Sequence, residues 1–299
     1  MGSGSWTSSS FASYTTSSKG VSVDDFMNTS YRAQDLYKSR RLSSVLDPKN
    51  VMRECCDSDE HPNTLPVILA LDVTGSMGGS SVKVAQKLNE IMTALYSDGD
   101  VPDIEFCVMG LGDLMYDDAP IQMSQFESDI RVAEQLDAIY FEAGGGGNDF
   151  ESYTAAWYMG VNHCKLDCWN RGQKGIIITM GDELPNPYLP KTGRYGGGLA
   201  AVTGDKLQGD VETKDLLVKT LEKFDVYHIS VNDSESSYSW NNSRGELDKQ
   251  WKDLIGADHY SVATLNNLAK TIVEIIKGRT TTAGGIQVNV TENGAEVTW

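Results

Sequence analysis

The chain of 299 residues is poor in basic residues and contains no long apolar run. It carries 25 Lys and Arg against 42 Asp and Glu, a formal net charge of −17 at pH 7. Because nucleic-acid backbones and anionic membranes select basic surfaces, this balance argues against both as partners. No apolar stretch approaches the roughly 18–20 residues that cross a bilayer, so we predict no transmembrane helix.

The sequence also lacks a secretory signal and a disulfide framework. Residues 1–6 have neither a basic start nor an apolar core. The cysteines are odd in number and form no C-x2-C pair, a usage that suits a reducing compartment. We therefore expect a cytoplasmic protein. Separately, we expect residues 163–168 to lie on a helix. Zinc binding is the alternative use of the thiols, with ligands from Cys55, Cys56, His163, Cys164 and Cys168.

Composition divides the chain into four segments. Residues 1–20 are rich in Ser, Thr and Gly, and we expect a disordered or partner-ordered arm there. Residues 21–65 mix charges with spaced apolar groups, which predicts one or two short helices in an extension packing on the core. Residues 66–278 are the predicted main domain. In residues 279–299, strict alternation around an Asn-Gly turn predicts a β-hairpin tail.

Predicted strands and helices alternate along the main domain. The strands are 66–72, 104–113, 120–123, 176–180, 226–231 and 258–262. The helices are 81–96, 127–139, 152–164, 213–224, 244–255 and 265–277. This order predicts an α/β fold, a doubly wound and mainly parallel sheet with helices on both faces. Ligands of such sheets bind beyond the carboxyl ends of the strands, at the switch point.

The first predicted strand ends in a run of oxygen-bearing side chains. The apolar stretch Pro66–Leu71 is followed by Asp-Val-Thr-Gly-Ser, as expected for a buried strand closed by a turn. Alternate residues leaving a strand can point the same way, so Asp72, Thr74 and Ser76 can place three oxygens around one point. Hard oxygen ligands of this kind suit Mg²⁺ or Mn²⁺.

This D-x-T-x-S pattern after a strand resembles the metal-ion-dependent adhesion site of von Willebrand factor A (VWA) domains. Two further segments, residues 144–153 and 176–185, follow in the order that the family requires. The resemblance covers roughly residues 50–278, which look like uncharacterised bacterial and phage VWA proteins of the cell interior. It implies a VWA or Rossmann-like version of the doubly wound fold.

The glycine-rich segment 144–153 is similar to the G-G-G-D-x-P-E-S loop of many bacterial VWA domains. Asn148 stands where that loop has its ligand aspartate, so this ligand carries no charge. Glu151 matches the loop's glutamate, in the first turn of the predicted next helix, where an acid is favoured by the exposed amides. Two interpretations stay open for Glu151: an outer partner of the metal, or a plain helix-start residue.

The resemblance implies one metal site built from both strand ends and the loop. Asp182 matches the aspartate that ends the fourth strand of the family, and its neighbour Glu183 is the alternative. The implied metal ligands are Asp72, Thr74, Ser76, Asn148 and Asp182. Outer partners or alternates are Glu151, Glu183, Asp113 and Asp149. The implied ion is Mg²⁺, with Mn²⁺ and Ca²⁺ as alternatives.

The resemblance further implies a protein-binding module rather than an enzyme. An Asp or Glu of a partner would fill the open position on the ion. Intracellular prokaryotic VWA proteins often work with AAA+ ATPases of the MoxR or chelatase type, so such an ATPase is a candidate partner. Residues 183–212, rich in Gly and Pro beside the metal face, are the candidate specificity loop.

Two other functions stay open. One is a structural or assembly subunit, such as a phage or particle component, whose self-assembly ignores a vestigial metal site; the uncharged Asn148 favours it. The other is a single-metal hydrolase with Glu151, Glu183 or Asp113 as base. No histidine is predicted near a strand end on the metal face, and no Ser-His-Asp or Cys-His set has recognisable context, so we expect no enzyme activity.

Overall fold

A computed structural model of the chain describes residues 5–96, 103–142, 150–194, 197–231, 244–283, 289–291 and 294–296. The predicted site residues Asn148 and Asp149 lie outside the described residues. The helices are α1 (Ser8–Lys19), α2 (Val23–Asn28), α3 (Ala33–Leu36), α4 (Gly78–Tyr96), α5 (Arg131–Asp137), α6 (Ala155–Asn162), α7 (Leu199–Thr203), α8 (Thr213–Leu221), α9 (Arg244–Ile255) and α10 (Leu268–Ala283). Within the described ranges, no helix combines the length and apolarity that crossing a membrane requires.

Among the described residues, six strands form the central sheet and eight more form four two-stranded pairs. The strands are β1 (Arg53–Cys55), β2 (Leu65–Asp72), β3 (Ile104–Leu111), β4 (Ile121–Met123), β5 (Phe150–Glu151), β6 (Cys164–Leu166), β7 (Gly175–Gly181), β8 (Leu184–Pro185), β9 (Tyr188–Leu189), β10 (Val211–Glu212), β11 (Phe224–Val231), β12 (Tyr260–Ala263), β13 (Asn289–Thr291) and β14 (Gly294–Glu296). The central order is β12-β11-β7-β2-β3-β4. Every pair is parallel except β3–β4. The predicted α/β class and mainly parallel sheet are therefore confirmed.

Alternate residues of β2 face two separate cores. Val67, Leu69 and Leu71 pack with residues of α1 to α5 and α10 on one face of the sheet. Ile68 and Ala70 pack with residues of α6, α8 and α9 on the other face. Because both faces are covered, all eight residues of β2 and all eight of β3 are buried. Burial on both faces is why these strands read as continuous apolar runs.

The N-terminal segment corrects one expectation. Instead of a disordered or partner-ordered arm over residues 1–20, the described part forms α1, whose first turn is capped by Thr7 accepting a hydrogen bond from the Ser10 amide at 3.0 Å. Trp6 and Phe11 are 6% and 2% exposed and belong to the main core. Two buried aromatics and a helix cap outweigh the polar composition. The domain boundaries themselves stay predictions.

Residues 163–168 also differ from expectation. Helix α6 ends at Asn162, and Cys164–Leu166 is strand β6, which pairs in parallel with β1. Its burial alternates, with Lys165 exposed between two buried neighbours, so a period of two overrides the predicted helix. All five cysteines are free. In the part of the chain that the structure describes, no group of three or more His, Cys, Asp or Glu could hold a metal ion, so the alternative of a zinc site at the thiols finds no support there.

Two other predicted segments are resolved into short elements. The described residues of 183–212 are not one loop but contain β8, β9, α7 and β10, and they bury Leu189, Leu199 and Thr203. In the tail, β13 and β14 pair antiparallel with Asn289 opposite Glu296, as the alternation predicts.

We predict that Phe11→Ala lowers the free energy of unfolding by about 3 kcal/mol or more, because it empties a space in the main core. The measurement is urea unfolding of the full chain. The matched control is Ser13→Ala, an exposed position on the same helix, which should change stability by less than about 0.5 kcal/mol. Equal stability of Phe11→Ala and the wild type would show that α1 is not docked in solution.

Candidate metal centre

The two candidate aspartates lie at the switch point of the sheet. The chain passes from β2 to β3 on one side and later adds β7 on the other side of β2. Asp72 is the last residue of β2, and Asp182 directly follows β7. Because Leu71 pairs with Met180, the two strands end at nearly the same level. The carboxyl ends of adjacent parallel strands therefore bring Asp72 and Asp182 to one edge.

The Asp72 carboxylate is fully engaged by neutral donors. Its Oδ1 accepts hydrogen bonds from the amide of Thr74 at 2.9 Å and from Thr74 Oγ1 at 2.5 Å. Its Oδ2 accepts from the Tyr153 hydroxyl at 2.7 Å. Asp72 is 1% exposed, so protein groups rather than bulk water set the orientation of the carboxylate.

Asp182 is buried but only partly satisfied. Its Oδ1 accepts a hydrogen bond from Ser76 Oγ at 3.0 Å. Its Oδ2 is buried and has no hydrogen-bond partner among the described residues. Ser76 itself is half-buried and Gly75 is exposed, so the turn after β2 forms the open side of the site. The structure thus brings together four of the predicted ligands, Asp72, Thr74, Ser76 and Asp182.

Burial raises the pKa of Asp72 to about 6 and that of Asp182 to about 8. For Asp182 the second cause is the charge of Asp72, since two carboxylates that face each other disfavour double ionisation. Within the described residues neither carboxyl takes part in an ion pair. Negative charge on these two carboxyl groups is therefore not balanced by a cationic side chain among the described residues, and a bound cation would balance it.

Glu151 lies beside the aspartates but not where the sequence predicts it. It belongs to β5, which pairs with β8, and α6 begins only at Ala155; the helix-start interpretation is therefore wrong. Glu151 is 6% exposed, and its Oε2 has no hydrogen-bond partner among the described residues. Burial and then the charge of Asp72 raise the pKa of Glu151 well above its usual value. The outer-partner interpretation stays a prediction.

The other alternates have local structural contacts. Asp113 follows β3 and its Oδ1 accepts a hydrogen bond from the Met115 amide at 2.7 Å, which closes a turn. The Glu183 carbonyl accepts from Trp251 Nε1 at 3.1 Å, and the Glu183 amide donates to the Tyr153 hydroxyl at 3.3 Å.

Sequence reasoning missed Tyr153. This residue is fully buried, and its ring lies edge-on to His228 and Trp251, with centroid distances of 5.3 and 5.7 Å. A Cβ atom on Gly181 would lie 2.1 Å from the Tyr153 hydroxyl, so only glycine fits there. In sequence, Tyr153 is indistinguishable from a core aromatic. The signal that could have found it is the glycine placed directly before Asp182.

The donor set fits a hard divalent cation. It combines two buried carboxylates with two hydroxyl oxygens, and Asp182 Oδ2 lacks a protein donor among the described residues. Mg²⁺ and Mn²⁺ favour such oxygens, and each of the four described side chains contributes oxygen as its donor atom. Asp72, Thr74, Ser76 and Asp182 are the described residues that would hold the ion.

The sequence matches no protein-family model and no curated protein. Several solved structures are similar in part. The pilus adhesin SpaC from Lactobacillus rhamnosus GG has a TM-score of 0.48 and 13% identity over 76% of this chain, which spans 31% of that adhesin. The von Willebrand factor domain of the type V pili tip protein Mfa5 from Porphyromonas gingivalis has a TM-score of 0.46 and 12% identity, covering 76% of this chain and 98% of that one.

A third similar structure is proximal thread matrix protein 1 from the mussel byssus with a zinc-occupied MIDAS motif. Its TM-score is 0.43 at 11% identity, covering 74% of this chain and 48% of that one. Likenesses of this degree say nothing about what the present chain binds.

Behind the centre, His228 is held neutral in the sheet. It is fully buried, stacks on Trp251 with ring centroids 3.6 Å apart, and its Nδ1 lies 2.9 Å from Thr179 Oγ1. Burial, and then the charge of Arg244, lower the pKa of His228 well below its usual value. Below about pH 6.5 the unfolded chain gains a proton that the folded chain does not, so stability is present above that pH and is lost as pH falls.

We predict that His228→Phe, which retains an aromatic ring against Trp251, removes this loss. As the pH falls below 6.5, the free energy of unfolding of the wild type should decrease by about 1.4 kcal/mol per pH unit more than that of the variant. The measurement is urea unfolding of both proteins from pH 7.5 to pH 5. The buried carboxyl groups act with the opposite sign, but they are common to both proteins and cancel in the difference. Parallel pH profiles would contradict the prediction.

Proposed function

We propose that the chain is a metal-dependent protein-binding module with a VWA-type adhesion site. The observation that carries the proposal is the pair of buried carboxylates, Asp72 and Asp182, at the switch point. Hydroxyl groups donate to both, and no cationic side chain among the described residues pairs with either. Thr74 and Ser76 complete the described ligand set, and Asn148 is the ligand proposed from outside the described residues.

When bound, a divalent cation such as Mg²⁺ supplies a coordination position that a carboxylate oxygen of a partner can fill. Mg²⁺ takes about six oxygen ligands and usually retains water. Two carboxylates balance the charge of the ion without making the site anionic, so a partner's carboxylate is not repelled and can replace a water as a ligand. Asp72 and Asp182 would hold the ion, and the exposed turn at Gly75 leaves the approach open.

The chain's own charge favours a local contact. A formal charge of −17 opposes an acidic partner at long range, but at physiological salt this repulsion is screened beyond about 8–10 Å. The partner therefore needs an acidic residue at the metal and a surface that is not strongly acidic around it. Tyr188, 40% exposed on β9, belongs to the 183–212 region that we propose as the specificity region.

An AAA+ ATPase of the MoxR or chelatase type is our candidate partner, in the cytoplasm of a bacterium or of a phage host. The support is the resemblance of the D-x-T-x-S segment to intracellular VWA proteins, together with five free cysteines, which suit a reducing compartment. We propose binding rather than catalysis. The support is that His228, the histidine of the described central sheet, is fully buried in mid-strand and offers no base to a substrate.

A structural or assembly subunit with a vestigial metal site is the second candidate. It is favoured by the uncharged Asn148 and by the satisfied state of Asp72, each of whose oxygens already has a protein donor. Self-assembly that ignores metal would then use other surfaces of the chain.

We predict that Mg²⁺ or Mn²⁺ stabilises the wild type, by about 2.7 kcal/mol at a hundredfold excess over the dissociation constant. Asp182→Asn should lose this response, and in EDTA it should be more stable than the wild type because it removes a buried acid that faces Asp72. The control is Asp225→Asn, at the amino end of β11 and paired with Arg279, which should retain the metal response. Thermal unfolding with and without metal gives all three results. A wild type that responds to neither ion would refute the metal centre.

We predict that a partner is captured from native-host lysate in Mg²⁺ and released by EDTA. The baits are the wild type, Asp72→Ala, Asp182→Asn and the control Asp225→Asn, each checked for folding by circular dichroism, and mass spectrometry identifies the proteins released. Recovery by the wild type and Asp225→Asn alone supports the adhesion site, and an AAA+ ATPase among the proteins would identify the process. Equal recovery by all four baits would favour the structural subunit.

A further inference from the structure

Tyr153 differs from the other donors at the metal centre. Thr74 donates to Asp72 Oδ1 and Ser76 donates to Asp182 Oδ1, but both hydroxyls are themselves candidate ligands. The Tyr153 hydroxyl donates to Asp72 Oδ2 at 2.7 Å and belongs to no candidate ligand. Among the described residues it is the one donor to Oδ2. It therefore fixes the position of this oxygen, to which Thr74 does not donate.

The position of this hydroxyl is strongly constrained. The Tyr153 side chain has no exposed surface, and its ring lies edge-on to His228 and Trp251. On the other side, the backbone at Gly181 approaches so closely that a Cβ atom there would lie 2.1 Å from the hydroxyl oxygen. A side chain packed in this way cannot follow a rotation of Asp72.

Tyr153 also connects the two strand ends. Its hydroxyl oxygen accepts a hydrogen bond from the Glu183 amide at 3.3 Å while the hydroxyl donates to Asp72. Glu183 directly follows Asp182, and its carbonyl accepts from Trp251 Nε1 at 3.1 Å. One phenol group therefore contacts the carboxylate at the end of β2 and the backbone beside the carboxylate at the end of β7.

We propose that Tyr153 is a positioning residue of the metal centre, whose hydroxyl holds the Asp72 carboxylate in one orientation and in register with Asp182. The proposal rests on the proposed function, since it presupposes that the two aspartates bind a cation. At 1% exposure Asp72 has no bulk water to replace a lost donor. Without the phenol, the carboxylate is held through Oδ1 alone by Thr74, and the buried Oδ2 loses its partner.

Removing the hydroxyl has two opposing effects on cation affinity. It leaves more negative charge on Asp72 Oδ2, which strengthens attraction, and it removes the orientation of the ligand, which weakens binding. The second effect should dominate, because losing a hydrogen bond that orients a metal ligand typically weakens binding by about 10–100-fold.

The test is Tyr153→Phe in the full chain, with Tyr158→Phe as the matched control. Tyr158 donates to Asp205 Oδ2 at 2.6 Å, so the control loses a similar phenol–carboxylate bond outside the metal centre. Mn²⁺ binding is measured by calorimetry, and bound Mn²⁺ by electron paramagnetic resonance. We expect the dissociation constant of Tyr153→Phe to rise about tenfold and its Mn²⁺ spectrum to change. Tyr158→Phe should match the wild type in both, although both variants lose stability in EDTA.

The outcomes separate this inference from the proposed function. Wild-type affinity and spectrum in Tyr153→Phe would overturn the positioning role while leaving the metal centre intact. Absence of Mn²⁺ binding to the wild type would overturn both. Gly181→Ala provides a second variant, because it retains the phenol but displaces it from Asp72. Weaker Mn²⁺ binding is expected there too, and unchanged binding would count against the role.

Discussion

Burying two acidic groups side by side is the constraint on which the structure of the candidate metal centre depends. Each charge taken out of water costs several kcal/mol unless it is compensated, and Asp72 and Asp182 are 1% and 9% exposed. The chain compensates with hydroxyl groups from two places: the turn after β2, which carries Thr74 and Ser76, and the segment just before α6, which carries Tyr153. Each donor is neutral, so both oxygens of Asp72 and one oxygen of Asp182 are hydrogen-bonded while the charge is left for something else to balance.

At the opposite edge of the same sheet, a partly buried acidic side chain has cationic partners instead of neutral ones. At the amino end of β11, Asp225 pairs with Arg279 and lies 3.7 Å from Lys174. Cationic side chains are thus available to this fold and are used where an acid needs a permanent partner. At the carboxyl ends of β2 and β7 the described residues supply none. A polar site can lie only at such an edge, because both faces of β2 and β3 are covered by apolar cores. The contrast between the two edges favours an exchangeable cation over a structural ion pair.

Sequence patterns predicted the parts of this arrangement that depend on neighbouring residues. Asp72, Thr74 and Ser76 follow from one apolar run and its turn, and Asp182 follows from another. The N-terminal helix was missed because Trp6 and Phe11 are isolated aromatics in a Ser- and Thr-rich segment, and their docking depends on distant residues such as Asn89 of α4. Strand β6 has only three residues, too few for a period of two to be recognised. Tyr153 was missed because its role comes from contacts across the fold, to Asp72 and past Gly181, which no local pattern records.

Under the proposed function, the hydroxyls of Thr74 and Ser76 are hydrogen-bond donors without the cation and ligands with it. Thr74 and Ser76 donate protons to the acids in the structure described above, and their oxygens would have to turn toward the ion when it binds. Metal binding then replaces hydrogen bonds instead of filling a vacant cage, so part of the gross binding energy offsets the bonds that are lost.

Only two acids and an uncharged Asn148 draw the ion in. Such a site favours moderate affinity and ready exchange, which suits an adhesive contact that forms and releases better than a permanent structural metal. Tyr153 is exempt from this exchange, because its hydroxyl donates to Asp72 without being a ligand. That is why a rigid phenol, and not another serine or threonine, donates to the remaining oxygen of Asp72.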